Sequence, residues 1–216
     1  MTRTVTGAGV YVRPVLALYD WWVLGLSNHA IWLCPTSCLR RLYDCHSGAR
    51  HLDVGVGSGY YLDRCQWPTA KPRIVLLDCN QASLRWGARR LARYRPACVC
   101  VDVRQAMPFA DASFDSIGVT YVLHCLPGSI GDNAVVFDRL MPLLRHGGTL
   151  FGATVLGRDV RHTLPARALL AVYNRLNVFS NRHDTAQQLA QVLEPRCGAW
   201  GVEVIGGVAL FWGRRG

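Results

Sequence analysis

The chain is nearly devoid of lysine. Of its 24 basic residues only Lys71 is not arginine, and with 14 acids the formal charge is +10 over 216 residues. Arginine without lysine, beside abundant Ala, Gly and Leu, fits a coding bias as well as a functional demand. The charge is therefore discounted as evidence for nucleic acid, since net charge bears on solubility and non-specific attraction. Repeats, linkers and low-complexity segments are missing too, which points to one domain spanning 1–216. No apolar run reaches the roughly 20 residues that span a bilayer. The most apolar stretch, 14–34, is broken by Asp20, Asn28 and His29, and lacks a small-residue cleavage site after a basic start. A buried or ligand-facing helix is expected there, with an interfacial membrane role as the other reading.

Disulfide and metal frameworks are also poorly supported. Nine cysteines are an odd count, scattered through expected helices and strands. Free thiols in a reducing cytoplasm are the simpler reading. CPTSCLRRLYDC places Cys34, Cys38 and Cys45 at spacings that suit neither zinc nor an iron–sulfur cluster, because Arg41 stands where a third cysteine would be needed. No metal site is expected. These three read as buried thiols, and Cys98 with Cys100 as small core residues of a buried strand.

What the chain does have is alternation. Val12, Leu16, Tyr19, Val23 and Leu26 follow helical spacing, and a further helix is predicted from about Pro35 to His46. Then come predicted strands in HLDVGV, PRIVLLDCN (72–80), ACVCVDV (97–103), SFDSIGVTYVLHCLPG (113–128) and GTLFGATVL (148–156). Helices are expected from Gln81 to Tyr94 and from Ala134 to Leu144, the latter stopped at Gly147-Gly148. Such alternation implies a parallel sheet covered on both faces. Helices from Pro165 to Phe179 and from about Asp184 follow, with Asp184 and Gln187 as a capping box. The last stretch reads as a hairpin around Gly206-Gly207. The division expected is a helical cap (1–48), a core (49–157), an inserted helix with the last core helix (158–195), and a C-terminal hairpin (196–216).

Chemistry first shows in HLDVGVGSGYYL. Gly55, Gly57 and Gly59 alternate after a strand that contains Asp53. Glycines allow a sharp turn and close approach of a ligand, although a tight strand-to-helix turn would explain them alone. Dinucleotide sites carry G-x-G-x-x-G; here the third glycine comes one residue early. Asp78 ends the second strand, where a carboxylate can accept from ribose hydroxyls. Asp102 ends the third, where it can accept from an adenine amine, with Val103 as an apolar flank. Each acid alone is equally explained as a helix cap or turn residue, but three in register with a glycine turn are not.

With LDVGVGSG, LLDCN, VDVRQAMPF, FDSIGVTYVLHCLPG and LLRHGGTLF, spread over 51–156, the sequence resembles the class I S-adenosylmethionine-dependent methyltransferases. The resemblance implies a Rossmann-like seven-stranded sheet, mostly parallel with an antiparallel last strand, and S-adenosylmethionine as the methyl donor. It implies that the methionine moiety packs near Asp53, Gly55 and Gly57, that Asp78 holds the ribose, and that Asp102 with Val103 holds the adenine. Val56, Gly59, Cys79 and Thr120 complete the expected cofactor set. The cap looks like that of small methyltransferases acting on compact organic molecules.

The acceptor side is read from single residues. His124 follows the fourth strand and is the candidate base, or alternatively a loop-bonding histidine. Tyr19, Trp22, His29, Tyr121 and His183 are candidate substrate contacts; core packing explains Tyr121 equally, and cap aromatics at helical spacing are more often core than ligand cage. Cys125 lacks the preceding proline of a pyrimidine C5 nucleophile. The polar-Pro-Pro-aromatic motif used on nucleic-acid amines is missing, as is an acid cluster near Thr120 and Tyr121 for Mg²⁺. The leading expectation is a small, largely apolar or aromatic acceptor, methylated on O or N rather than C. An RNA methyltransferase, a non-catalytic cofactor- or partner-binding protein and a nucleotide-dependent oxidoreductase are the competing readings.

Overall fold

A computed structural model describes residues 28–216. Helix α1 (Thr36–His46) leads into β1 (Arg50–Val54), α2 (Tyr60–Arg64), β2 (Arg73–Asp78), α3 (Gln81–Arg90) and β3 (Ala97–Cys100). Then follow β4 (Phe114–Thr120), α4 (Ala134–Leu140), β5 (Leu144–Val155), α5 (Leu164–Arg175), α6 (Ala186–Leu193), β6 (Ala199–Ile205) and β7 (Val208–Arg214). The strands form one seven-stranded sheet in the order β3-β2-β1-β4-β5-β7-β6. β1 to β5 pair in parallel, and β7 runs antiparallel to both β5 and β6.

Strands buried on both faces are why the segments are apolar throughout rather than alternating. On one face Leu52, Val54, Ile117, Phe137, Leu140 and Phe211 pack together. On the other, Leu39, Leu42, Tyr43, Leu76, Phe151 and Leu210 do so. β1 has β2 on one side and β4 on the other, so the connections diverge there. The carboxyl ends of β1 and β4 flank this switch point, where open sheets of this kind hold ligands.

Several elements depart from the pattern read in the sequence. β3 ends at Cys100, so Asp102 lies on the loop beyond it. β3 is also an edge strand, and Cys98 and Cys100 are exposed rather than core. Cys34 is buried as expected, but Cys45 is exposed; all nine thiols are free. α3 stops at Arg90, and Ala92–Tyr94 forms a separate 3₁₀ turn. α4 stops at Leu140, and Gly147-Gly148 lies inside β5, not at a helix end. Gly147 takes φ +70° at a break in β4–β5 register, a conformation that strains other residues. α5 ends at Arg175, short of Phe179.

The capping box before α6 is made by Thr185 and Gln188, not by Asp184 and Gln187. Thr185 has the extended backbone that an N-cap requires. Asp184 instead turns inward. Its Oδ1 accepts from the Ile130 N–H at 3.0 Å, and its carbonyl accepts from Gly157 and Arg158 N–H groups, each at 3.1 Å. Burial pushes the Asp184 carboxyl up to about 6. No helix among the described residues is long and apolar enough to cross a membrane.

Candidate active site

The glycine turn leaves β1 at the switch point. Gly55, Gly57 and Gly59 take φ +72°, +52° and +72°. All three lie in the left-handed region that L side chains occupy at a cost. A Cβ on Gly55 would collide with the Val122 side chain, whereas one on Gly57 would meet nothing within 4 Å. Gly55 thus lets the loop after β4 close against the turn, and Gly57 faces open space. Gly59 is the N-cap of α2. Val56 does not line this opening with its side chain. It is buried against Gly87 of α3, where a Cβ would come within 2.7 Å of Val56 Cγ2.

The three acids occupy different settings. Asp53 is 3 % exposed, and its Oδ1 accepts from the Tyr43 hydroxyl at 3.0 Å. Asp78 stands at the end of β2, where its Oδ1 accepts from the Asn80 N–H at 2.8 Å. Burial, with a smaller repulsion from Asp53, pushes its carboxyl up to about 6 against the favourable bond from Asn80. The Cys79 thiol lies beside it. Asp102 is held by Arg104: the guanidinium gives Nε to Oδ1 at 3.1 Å and NH2 to Oδ2 at 2.6 Å. That fork, beside a bond from the Arg104 N–H, keeps the carboxyl below its usual range. Val103 is 5 % exposed and packs into the core, so it is not an open apolar flank.

Across the switch point, Thr120 ends β4 and is buried beside the Tyr43 hydroxyl. Tyr121 follows with φ +60°, a strained backbone that turns the chain over the strand ends. Its hydroxyl donates to Asn28 Oδ1 at 3.0 Å, and Asn28 Nδ2 donates to Thr36 Oγ1 and Tyr61 Oη at 3.2 and 3.1 Å. The start of the described chain, α1, α2 and the loop after β4 are thereby tied together.

His124 is 3 % exposed. Its Nδ1 accepts from the Val155 N–H at 3.2 Å and lies 3.2 Å from Thr154 Oγ1. With Nδ1 accepting, the proton of the neutral ring sits on Nε2. Burial holds the ring's pKa down to about 3. In this setting the ring presents a hydrogen-bond donor, and burial disfavours its protonated form. Phe179 packs edge-on to His124 with centroids 4.4 Å apart, and Tyr173 lies 4.9 Å from Phe179. Trp32 and Tyr121 extend this aromatic group at 6.2 Å from Phe179 and 5.7 Å from His124.

The contacts of Phe179, Tyr173 and Asn28 were not legible in the sequence, because nothing in a linear pattern links 28, 121 and 179. The expected contacts His29 and His183 are both exposed and sit outside the aromatic group. Tyr19 and Trp22 lie outside the described residues. Burial pushes the Cys125 thiol up to about 12, which disfavours the thiolate that a nucleophile needs. Among the described residues no set of His, Cys, Asp or Glu is arranged to hold a metal ion.

An open glycine turn, an acid at the end of β2 and a second acid beyond β3 suit an adenosyl ligand joined to an amino acid. Comparison with known proteins agrees. Residues 52–152 match the Methyltransferase domain family. Demethylluteothin O-methyltransferase of Streptomyces thioluteus is 35% identical over 191 residues, covering 88% of this chain and 83% of its own. The Physcion biosynthesis cluster O-methyltransferase of Aspergillus chevalieri is 34% identical over 98% of this chain and 96% of its own. Methyltransferase ctvB of Aspergillus terreus is 37% identical over 97% and 94%. Among solved structures, N-methyltransferase NodS of Bradyrhizobium japonicum in complex with S-adenosylhomocysteine superposes with a TM-score of 0.59 at 16% identity, covering 83% of this chain and 84% of its own. That likeness speaks to the fold alone.

The chain belongs to the class I S-adenosylmethionine-dependent methyltransferases. It is an enzyme whose cofactor is S-adenosylmethionine.

Proposed function

We propose that this enzyme methylates a hydroxyl of a small, largely apolar aromatic molecule, and that the acceptor lies against Trp32, Tyr121, His124, Tyr173 and Phe179. The observation that carries this reading is the aromatic group itself. It gathers from three distant segments beside the loop that closes on the glycine turn. Flat apolar rings pack well among such edge-to-face side chains. Two similar proteins named as O-methyltransferases support oxygen as the accepting atom.

When bound, S-adenosylmethionine supplies a methyl already activated by its positive sulfur. What remains for the chain is alignment at roughly 3–3.5 Å and exclusion of water. In this reading Asp53, Gly55, Gly57 and Gly59 receive the methionine end, Asp78 with Cys79 the ribose, and Asp102 the adenine. Thr120 and the backbone of Val56 and Val103 complete the contacts. His124 Nε2–H donates to the acceptor oxygen and orients it. A neutral donor suits an acceptor that has given its hydroxyl proton to solvent before binding and enters as the phenolate or enolate, so that transfer of the methyl leaves a neutral ether and S-adenosylhomocysteine with no further proton to place. A cytosolic setting belongs to the same proposal, and so does the division into cap, core, insertion and hairpin.

The dispersed pairs Arg40-Arg41, Arg89-Arg90 and Arg214-Arg215 give no continuous basic stripe, which counts against RNA. The test is incubation with methyl-deuterated S-adenosylmethionine and either a panel of hydroxylated aromatic compounds or total RNA. The label is expected on a phenolic oxygen, read by mass spectrometry. Label found only in RNA would overturn the proposal.

A further inference from the structure

Tyr43 lies on α1, outside every cofactor motif, yet it reaches the acid that precedes the glycine turn. Its hydroxyl donates to Asp53 Oδ1 at 3.0 Å. The ring has little freedom. Tyr61 stacks on it with centroids 5.3 Å apart and an interplanar angle of 17°, and Phe151 abuts it edge-on at 5.1 Å. The phenol is 3 % exposed. Burial and the neighbouring Asp53 charge both raise its pKa, so it remains a donor.

The same carboxylate oxygen is faced from β1 by His51. Ser116 Oγ accepts from the Gly48 N–H at 2.7 Å, which directs its own proton to His51 Nδ1, also at 2.7 Å. The imidazole proton then sits on Nε2, 3.6 Å from Asp53 Oδ1. Gly118 on β4 makes room for this arrangement, since a Cβ there would come within 2.8 Å of Asp53 Oδ1 and 3.4 Å of the His51 ring. Among the described residues no donor reaches Oδ2. One oxygen is thus engaged from below, and the other has no partner among the described residues.

We propose that Tyr43 is a positioning residue for the cofactor: it fixes Asp53 through Oδ1 so that Oδ2 is presented to the ammonium group of the methionine moiety. The inference rests on the assignment of that moiety to the glycine turn. It makes α1 part of donor binding rather than only a cover for the sheet. A carboxylate fixed in this way loses less freedom on binding, and a hydrogen bond to a charged group is among the stronger kinds.

The experiment compares two ligands by calorimetry. S-adenosylhomocysteine carries the ammonium group, and 5′-methylthioadenosine lacks the whole amino-acid end. Tyr43→Phe keeps the ring and removes the donor. It is expected to weaken S-adenosylhomocysteine about tenfold, the scale of one charge-assisted hydrogen bond, and to leave methylthioadenosine within about twofold. Asp53→Asn should show the same selectivity, and the double variant should bind no more weakly than Asp53→Asn alone. Equal loss for both ligands would mean that Tyr43 only supports the fold, and no loss for either would remove it from cofactor binding. Both results overturn the proposal. Binding of neither ligand by the unaltered enzyme would instead count against the assignment of the turn.

Discussion

The two halves of the proposed site are built from different materials. The donor half is backbone and carboxylate: three left-handed glycines after β1, with Asp78 and Asp102 near neighbouring strand ends. The proposed acceptor half is aromatic side chain, with Trp32, Tyr121, His124, Tyr173 and Phe179 brought from across the chain. A fixed cofactor calls for fixed backbone geometry, and glycine spacing records that geometry locally. An acceptor pocket needs only shape and apolar surface, which many side chains supply. Substitutions should therefore separate the two halves.

The largest effect is expected from Gly55→Val. The residue has φ +72°, and any Cβ there collides with Val122. Binding of S-adenosylhomocysteine should fall by at least about 100-fold, since the turn must move by more than a close-packed neighbour tolerates. Calorimetry measures this, and a loss under threefold would mean that the turn is not the donor site. Phe179→Ala should do the converse. Acceptor KM is expected to rise about tenfold, the scale of one buried aromatic contact, with cofactor affinity unchanged. A rise in cofactor Kd instead would dissolve the distinction between the halves.

The pH dependence sharpens the donor half. Asp78 titrates near 6 in the folded protein, above its usual 3.8, chiefly through burial. A raised acid means that the folded state holds the proton more tightly. Its stabilising contribution to the free enzyme is therefore fully present below the unfolded value and is lost as pH rises through about 6. Cofactor binding should run the other way, because the ribose hydroxyls donate to the ionised carboxylate. Affinity is expected to fall as pH drops through about 6, and Asp78→Asn should abolish that dependence. A pH-independent affinity in the unaltered enzyme would take Asp78 out of the ribose site. The smallest effect is expected outside both halves: Thr185→Ala removes the α6 cap and should cost about 1 kcal/mol in denaturant unfolding with no change in either KM.

The same contrast explains what could be read in advance. Parallel strands buried on both faces leave continuous apolar runs, so β1, β2 and β4 and the hairpin of β6 and β7 stood out. Asp53, Asp78 and Asp102 were legible because each lies within, at the end of or just beyond an apolar strand run. β3 was overextended because an edge strand can end while its sequence remains apolar. The Tyr43–Asp53 bond was not legible because it depends on α1 packing under β1, a contact between residues 43 and 53 that no spacing rule encodes. The position of His124 just after β4 was legible, but the bonds of its ring were not. A histidine beside a strand end looks like a base until the backbone N–H of Val155 is seen to occupy its Nδ1. The Asp184 capping box failed for a related reason: a buried bond to Ile130 outcompetes a local one.

The central claim is that the turn after β1 is built for a sulfonium donor and its thioether product. The most direct measurement is calorimetric titration of the unaltered enzyme with S-adenosylhomocysteine and, separately, with NAD. Saturable binding of S-adenosylhomocysteine at one site per chain, with no heat from NAD, is the result this account predicts. Binding of NAD without S-adenosylhomocysteine would contradict it.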